Sequence, residues 1–188
     1  IVAWGARKVP SITSSRPIIS RKYFYRCEVM KNWPQDVNLN LLEEACELFV
    51  GTHNFTNLCR LEEGKNPVRS VVNCEPWLNH DGRPIGISVT AESFLWNQVR
   101  RMASAITGVV SGEFKLEFVA NALKNPQIPV DMGMGTSKGL ILWEIEHVSL
   151  GGLGTGTTPD TRIFSKPPLS IRHHKTWMSL SSLEMSTM

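Results

Sequence analysis

Residues 67–102 read PVRSVVNCEPWLNHDGRPIGISVTAESFLWNQVRRM. Pro67 to Leu78 and Ile85 to Glu92 carry the apolar and β-branched residues of two strands. Between them stands Asn79-His80-Asp81-Gly82-Arg83-Pro84, a run of turn-forming residues. The spacing predicts a hairpin. The periodicity then changes. Leu95, Val99, Met102, Ile106, Val109 and Val110 form one stripe of a helix from about Leu95 to Ser111, with Ser93 as a cap and Gly112 as a stop. A hairpin running into an amphipathic helix points to an α+β domain.

The flanking segments support this. Upstream, residues 39–50 place Leu41, Leu42, Ala45, Leu48 and Phe49 on one helical stripe. Asn40 and Glu43 resemble a capping box, and Gly51 ends the helix. Arg21 to Met30 alternates, with Tyr23, Tyr25, Cys27 and Val29 on one face of a strand. Residues 1–9 read as a further short strand. Downstream, Phe114 to Lys124 is a third helix stopped by Asn125-Pro126, and Gly139 to Val148 is a last strand. The expected fold class is α+β: a mostly antiparallel sheet with helices packed on one face.

Composition bounds the rest. The 188 residues are 41% apolar and 20% charged, with a formal net charge of +3. An anionic partner is permitted and not required. No run of 18 apolar residues exists, so no membrane span is expected. Cys27, Cys46, Cys59 and Cys74 form no Cys-x-x-Cys pair and read as buried free thiols of a reducing, cytoplasmic compartment. His53, His80 and His173-His174 lack a second ligand at useful spacing, so metal catalysis is set aside. No phosphate-binding glycine loop is present, since the Met132-Gly133-Met134-Gly135 run precedes a strand. Residues 1–150 form the expected domain. Residues 151–188 are dominated by Gly, Ser, Thr and Pro, show no sustained period, and read as a disordered tail. Ile1 opens the chain inside an apolar run, as a cut through a larger protein would.

Two patterns can carry chemistry. Arg100 lies about 100° around the helix from the core-facing Val99, at the border of the buried face. From there it either reaches a carboxylate or phosphate in a cleft or covers apolar surface. Arg21-Lys22-Tyr23-Phe24-Tyr25-Arg26 alternates cations and aromatics along a strand. Such a strand can stack a nucleobase and hold phosphates. It can equally bury Tyr23 and Tyr25 and leave its cations to solvent. Arg7, Lys8, Arg60, Lys65 and Arg69 read as a solvated face.

In this order the motifs resemble the A-type tRNA pseudouridine synthases. The resemblance rests on Val9-Pro10 before Arg21-Lys22-Tyr23-Phe24-Tyr25; on Phe49-Val50-Gly51-Thr52-His53-Asn54-Phe55-Thr56-Asn57; and on Asn66-Pro67-Val68-Arg69. It rests further on Phe94-Leu95-Trp96-Asn97-Gln98-Val99-Arg100-Arg101-Met102, the most specific match, and on Lys138-Gly139-Leu140-Ile141-Leu142. It covers residues 1 to about 148, with wording closer to archaeal and eukaryotic members. The resemblance implies half of a pseudouridine synthase fold, and isomerisation of uridine to pseudouridine in the tRNA anticodon stem-loop, without a cofactor. It implies that Tyr23 stacks on the flipped uracil and that Arg100 pairs with the nucleophilic aspartate. It implies RNA contacts from Arg21, Lys22, Arg69 and Arg101, tRNA as the partner, and a homodimer as an open state.

Two departures qualify it. The family's aspartate stands in a Gly-Arg-Thr-Asp segment, and Asp36, Asp81, Asp131 and Asp160 have no such setting. The family's basic residue before the tyrosine strand has only Arg16 as a counterpart, one residue out of place. The expectation is therefore the C-terminal half of such an enzyme, inactive alone. A non-catalytic RNA-binding module is the alternative, and a structural protein without RNA contact is a third reading.

Overall fold

A computed structural model describes residues 18–147 and 151–153. In chain order the regular elements are β1 (Ile18–Arg26), α1 (Leu39–Glu47), β2 (Gly51–Asn54), β3 (Val68–Leu78), β4 (Pro84–Ala91), α2 (Gln98–Val110), α3 (Leu116–Lys124), β5 (Leu140–His147) and β6 (Gly151–Leu153). The strands form one sheet in the order β2-β3-β4-β1-β5-β6. Every pairing is antiparallel. The α+β reading and the hairpin β3–β4 are as expected. The strand expected over residues 1–9 lies outside the described residues. So do residues 154–188. The sheet continues past residue 150, because β6 pairs with β5.

β1 is central, and its alternation separates two apolar clusters. Tyr25 joins Val71, Cys74, Ile87 and Val89 of the neighbouring strands and the buried faces of α1, α2 and α3 in the main core, with Tyr23 packed against it. Phe24 joins Trp77, Ile85 and Ile141 in a small cluster that contains no helical residue among those described. The helices thus cover one face. In that core Phe49, Phe55, Leu42, Met102 and Ile106 are wholly buried. Burying each such side chain contributes about 1.5–3 kcal/mol.

Several boundaries and caps differ from the sequence reading. β1 ends at Arg26 rather than Met30, because Cys27–Val29 form a 3-10 turn and Arg26 folds back onto Glu28 at 2.8 Å. α1 starts at Leu39 as read, but Asn38 rather than Asn40 caps it, its side chain accepting from Leu41 N, and the helix ends at Glu47 rather than at residue 50. α2 starts at Gln98 rather than Leu95, because Asn97 adopts the left-handed region with φ 64°. Ser93 is therefore not its cap. Instead Leu95 N donates to the buried Gln98 side chain. α3 starts at Leu116 rather than Phe114. Gly112, with φ +78°, ends α2 as expected.

Gly86 lets β4 lie tightly on β1. A Cβ there would stand 2.1 Å from the Tyr25 carbonyl oxygen, a backbone atom that cannot swing away.

All four cysteines are free and buried. Burial pushes the Cys27 thiol well above its usual range. A hydrogen bond with Cys46, and then burial, do the same for Cys74. An unfolded thiol ionises near pH 8.5, at about its reference value. The folded thiols keep their protons there, so the unfolded chain binds fewer protons than the native one. Stability from this source is complete below about pH 8.5 and is lost as pH rises above it. The urea midpoint should fall steadily between pH 8 and 10. A flat profile would contradict the burial of these thiols.

Candidate active-site arginine and its supporting turn

Residues 94–97 form a turn that points successive side chains in different directions. Phe94 packs edge-on against Tyr23, with ring centroids 5.3 Å apart. Leu95 enters the core. Trp96 is 51% exposed. Asn97 is the single non-glycine residue with positive φ among the described residues. Asparagine tolerates that region better than most residues. Its carbonyl oxygen accepts from Arg101 N and starts α2, while its side-chain Oδ1 accepts from Arg100 Nη1 at 3.1 Å.

Arg100 is gripped from the other side by residues 135–136. Its Nε donates to the Gly135 carbonyl at 2.8 Å, and its own carbonyl accepts from Gly135 N at 3.0 Å. Next to this pair, the Tyr25 hydroxyl donates to the Thr136 carbonyl at 2.8 Å. Gly135 has no room for a side chain. A Cβ would stand 2.3 Å from the Tyr25 hydroxyl and 3.2 Å from the Arg100 carbonyl. The guanidinium is therefore oriented by neutral oxygens. Among the described residues no carboxylate lies within 4.0 Å of it. A fixed, half-buried cation with an unused edge suits a carboxylate or phosphate brought to it.

The two tyrosines differ. Tyr25 is wholly buried and its hydroxyl is committed to Thr136. Tyr23 is half-buried, and its hydroxyl makes no hydrogen bond among the described residues. Burial raises its pKa, opposed by the nearby Arg21, so the phenol is neutral at physiological pH.

The other expected contact residues fall into separate groups. Arg21 lies on the Tyr23 side of β1 and donates to the Glu92 carbonyl. Lys22 points to the opposite face, where it pairs with Glu75 at 3.8 Å and lies over the Phe24 ring. The alternating strand is thus not one continuous basic-aromatic surface. Arg101 turns away from Arg100 and reaches Asp131 at 3.1 Å. It lines a shallow pocket of about 370 Å³ with Thr56, Asn57, Cys59 and Val130. Arg69, at the start of β3, donates to the Asn66 and Val68 carbonyls. Burial raises the Cys59 thiol above its usual range, and the positive charges of Arg101 and Arg69 oppose this.

Sequence reasoning did not single out Phe94, Asn97, Gly135 or Thr136 as supports. Gly135 was the available signal, since a glycine in an irregular segment can mark a close approach that leaves no room for a side chain. Among the described residues no group of three or more His, Cys, Asp or Glu could hold a metal ion. No helix there is long and apolar enough to cross a membrane.

The Asn97 turn makes a separable prediction. Asn97→Ala keeps the backbone strain and removes the hydrogen bond to Arg100. Asn97→Gly removes both. Thermal melts should show Asn97→Gly more stable than Asn97→Ala by about 1 kcal/mol. Equal melts would contradict the left-handed assignment.

A family model described as tRNA pseudouridine synthase matches residues 45–147, more than half of the chain and including α2 with Arg100. A protein named tRNA pseudouridine synthase A from Methanosphaerula palustris is 31% identical over 159 residues, covering 81% of this chain and 50% of its own length. One of the same name from Methanocorpusculum labreanum is 32% identical over 113 residues, 60% of this chain and 39% of its own length. A third, from Thermococcus kodakarensis, is 32% identical over 114 residues, 61% of this chain and 42% of its own. The chain thus spans half or less of the length of these curated relatives. With the family match running through the helix that holds the oriented arginine, the chain belongs to the tRNA pseudouridine synthase family.

Proposed function

We propose that this chain is the arginine-bearing half of a tRNA pseudouridine synthase site. In that reaction the bond from uracil N1 to C1′ breaks and a bond from C5 to C1′ forms. N1 takes up a proton and C5 gives up its own, so the product is an isomer and no cofactor is consumed. Arg100 is the residue that holds the nucleophilic aspartate ionised and aimed. Tyr23 is the ring against which the flipped uracil stacks, offsetting part of the few kcal/mol that base flipping costs.

The observation that carries the reading is the state of Arg100. Its guanidinium is held by Gly135 and Asn97, with no carboxylate on it among the described residues. Asp131 is taken by Arg101, Asp81 pairs with His80 in the β3–β4 turn, Asp36 lies exposed before α1, and Asp160 lies outside the described residues. The partner carboxylate comes from a different segment in this reading. Tyr23 rather than Tyr25 takes the uracil, because Tyr25 is buried with its hydroxyl already used. Arg21, Arg69 and Arg101 hold phosphates of the tRNA. Lys22, on the opposite face and paired with Glu75, is the weakest of the four assignments. The cytoplasm is the compartment in which the substrate is met.

A non-catalytic RNA-binding module is the second reading, and the unpaired Arg100 favours it if no aspartate is ever supplied. The two separate in one experiment. Unmodified tRNA transcript is incubated with this chain alone and with the chain joined to a family segment carrying Gly-Arg-Thr-Asp. Pseudouridine is expected only in the joined protein. Pseudouridine from the chain alone would contradict the assignment of the nucleophile to another segment. No product from a well-folded joined protein would favour the binding module.

A further inference from the structure

Trp96 has no place in the chemistry above, yet it is one of the most exposed large apolar residues among those described, at 51%. It is not a stray surface residue. Arg60 lays its guanidinium over the indole, 4.1 Å from the ring centroid. The Arg60 N–H donates to the Trp96 carbonyl at 2.8 Å, so backbone and side chain lock the two together. A guanidinium on one side of an exposed indole leaves a ring-sized apolar surface beside a fixed cation. Trp96 also directly precedes Asn97, the residue that orients Arg100.

More positive charge flanks the pair. Cys59, next to Arg60, lines the same shallow pocket as Arg101. One carboxylate, Asp131, sits on the Nη1 edge of Arg101, and it is itself largely exposed. An exposed indole with a guanidinium fixed on it complements an unstacked base beside a phosphate.

We propose that Trp96 and Arg60 form a nucleotide-stacking platform, which takes an unpaired nucleotide of the RNA substrate next to the uridine presented to Arg100. The indole stacks on the base, and Arg60 holds the ring in place and faces the adjoining phosphate. This rests on the reading that the substrate is a folded RNA. It adds a second base contact, separate from Tyr23.

The test uses the full 188-residue chain. Affinity for an unmodified tRNA transcript is measured for wild type, Trp96→Phe and Trp96→Ala across a salt series. Trp96→Ala should weaken binding about tenfold, the effect of losing one stacked base. Trp96→Phe should keep most of the affinity. The slope of affinity against salt should not change for either, because no phosphate contact is removed. Thermal melts should show Trp96→Phe close to wild type and Trp96→Ala still cooperatively folded, with a small drop from the lost Arg60 contact. Wild-type binding with unchanged affinity in Trp96→Ala overturns the platform and leaves the family reading intact. Unchanged tRNA affinity together with altered self-association of Trp96→Ala makes this surface a protein contact and also overturns it. No tRNA binding by wild type at low salt overturns both the platform and the RNA-substrate reading.

Discussion

The site depends on one arrangement: Arg100 is held at both ends by groups that do not neutralise it. Gly135 exchanges two backbone-linked hydrogen bonds with it, and Asn97 takes one terminal nitrogen. A half-buried guanidinium usually finds a carboxylate, since an uncompensated charge in low dielectric is costly. Here carbonyl and amide oxygens do the positioning and leave the charge available. The rest of the fold serves this. β1 at the centre of the sheet supplies Tyr25, whose hydroxyl fixes Thr136, and the Thr136 segment carries Gly135. The hairpin β3–β4 buttresses β1 on one side, and β5 on the other.

The strain at Asn97 belongs to the same arrangement. A left-handed residue directly before a helix costs free energy for any side chain other than glycine. It is kept because three needs meet at that turn. Phe94 must reach Tyr23, the helix must begin so that Arg100 lies at the border of the core, and the Asn97 side chain must meet the guanidinium. A regular helix from Leu95 would satisfy the periodicity and lose this geometry.

Much of the fold was legible because it is written in local periods. The β3–β4 hairpin, the α2 stripe and the strand after Lys138 all followed from alternation or from the 3.6 repeat. The misplaced boundaries have local physical causes that periods do not record. Arg26 folds onto Glu28 and ends β1 early, and Asn38 competes successfully with Asn40 as a cap because its side chain reaches Leu41 N. The border position of Arg100 was readable from its angle to Val99. Its grip was not, because Gly135 lies 35 residues along the chain and contributes only backbone. Arg60 was read as a solvated charge for the same reason. Its indole partner lies in a different segment, and only the folded chain brings them within 4.1 Å.

The central claim is that the uncommitted charge of Arg100 serves the reaction rather than the fold. It is tested most directly by the release of tritium from C5-labelled uridine in tRNA. The measurement compares Arg100→Ala with the parent in a protein that joins this chain to the aspartate-bearing segment. The account predicts a fall in turnover of about 10²-fold or more, the scale expected when a nucleophile loses its alignment, with little change in melting temperature. Turnover close to the parent's in a well-folded variant would remove Arg100 from the chemistry and contradict the account.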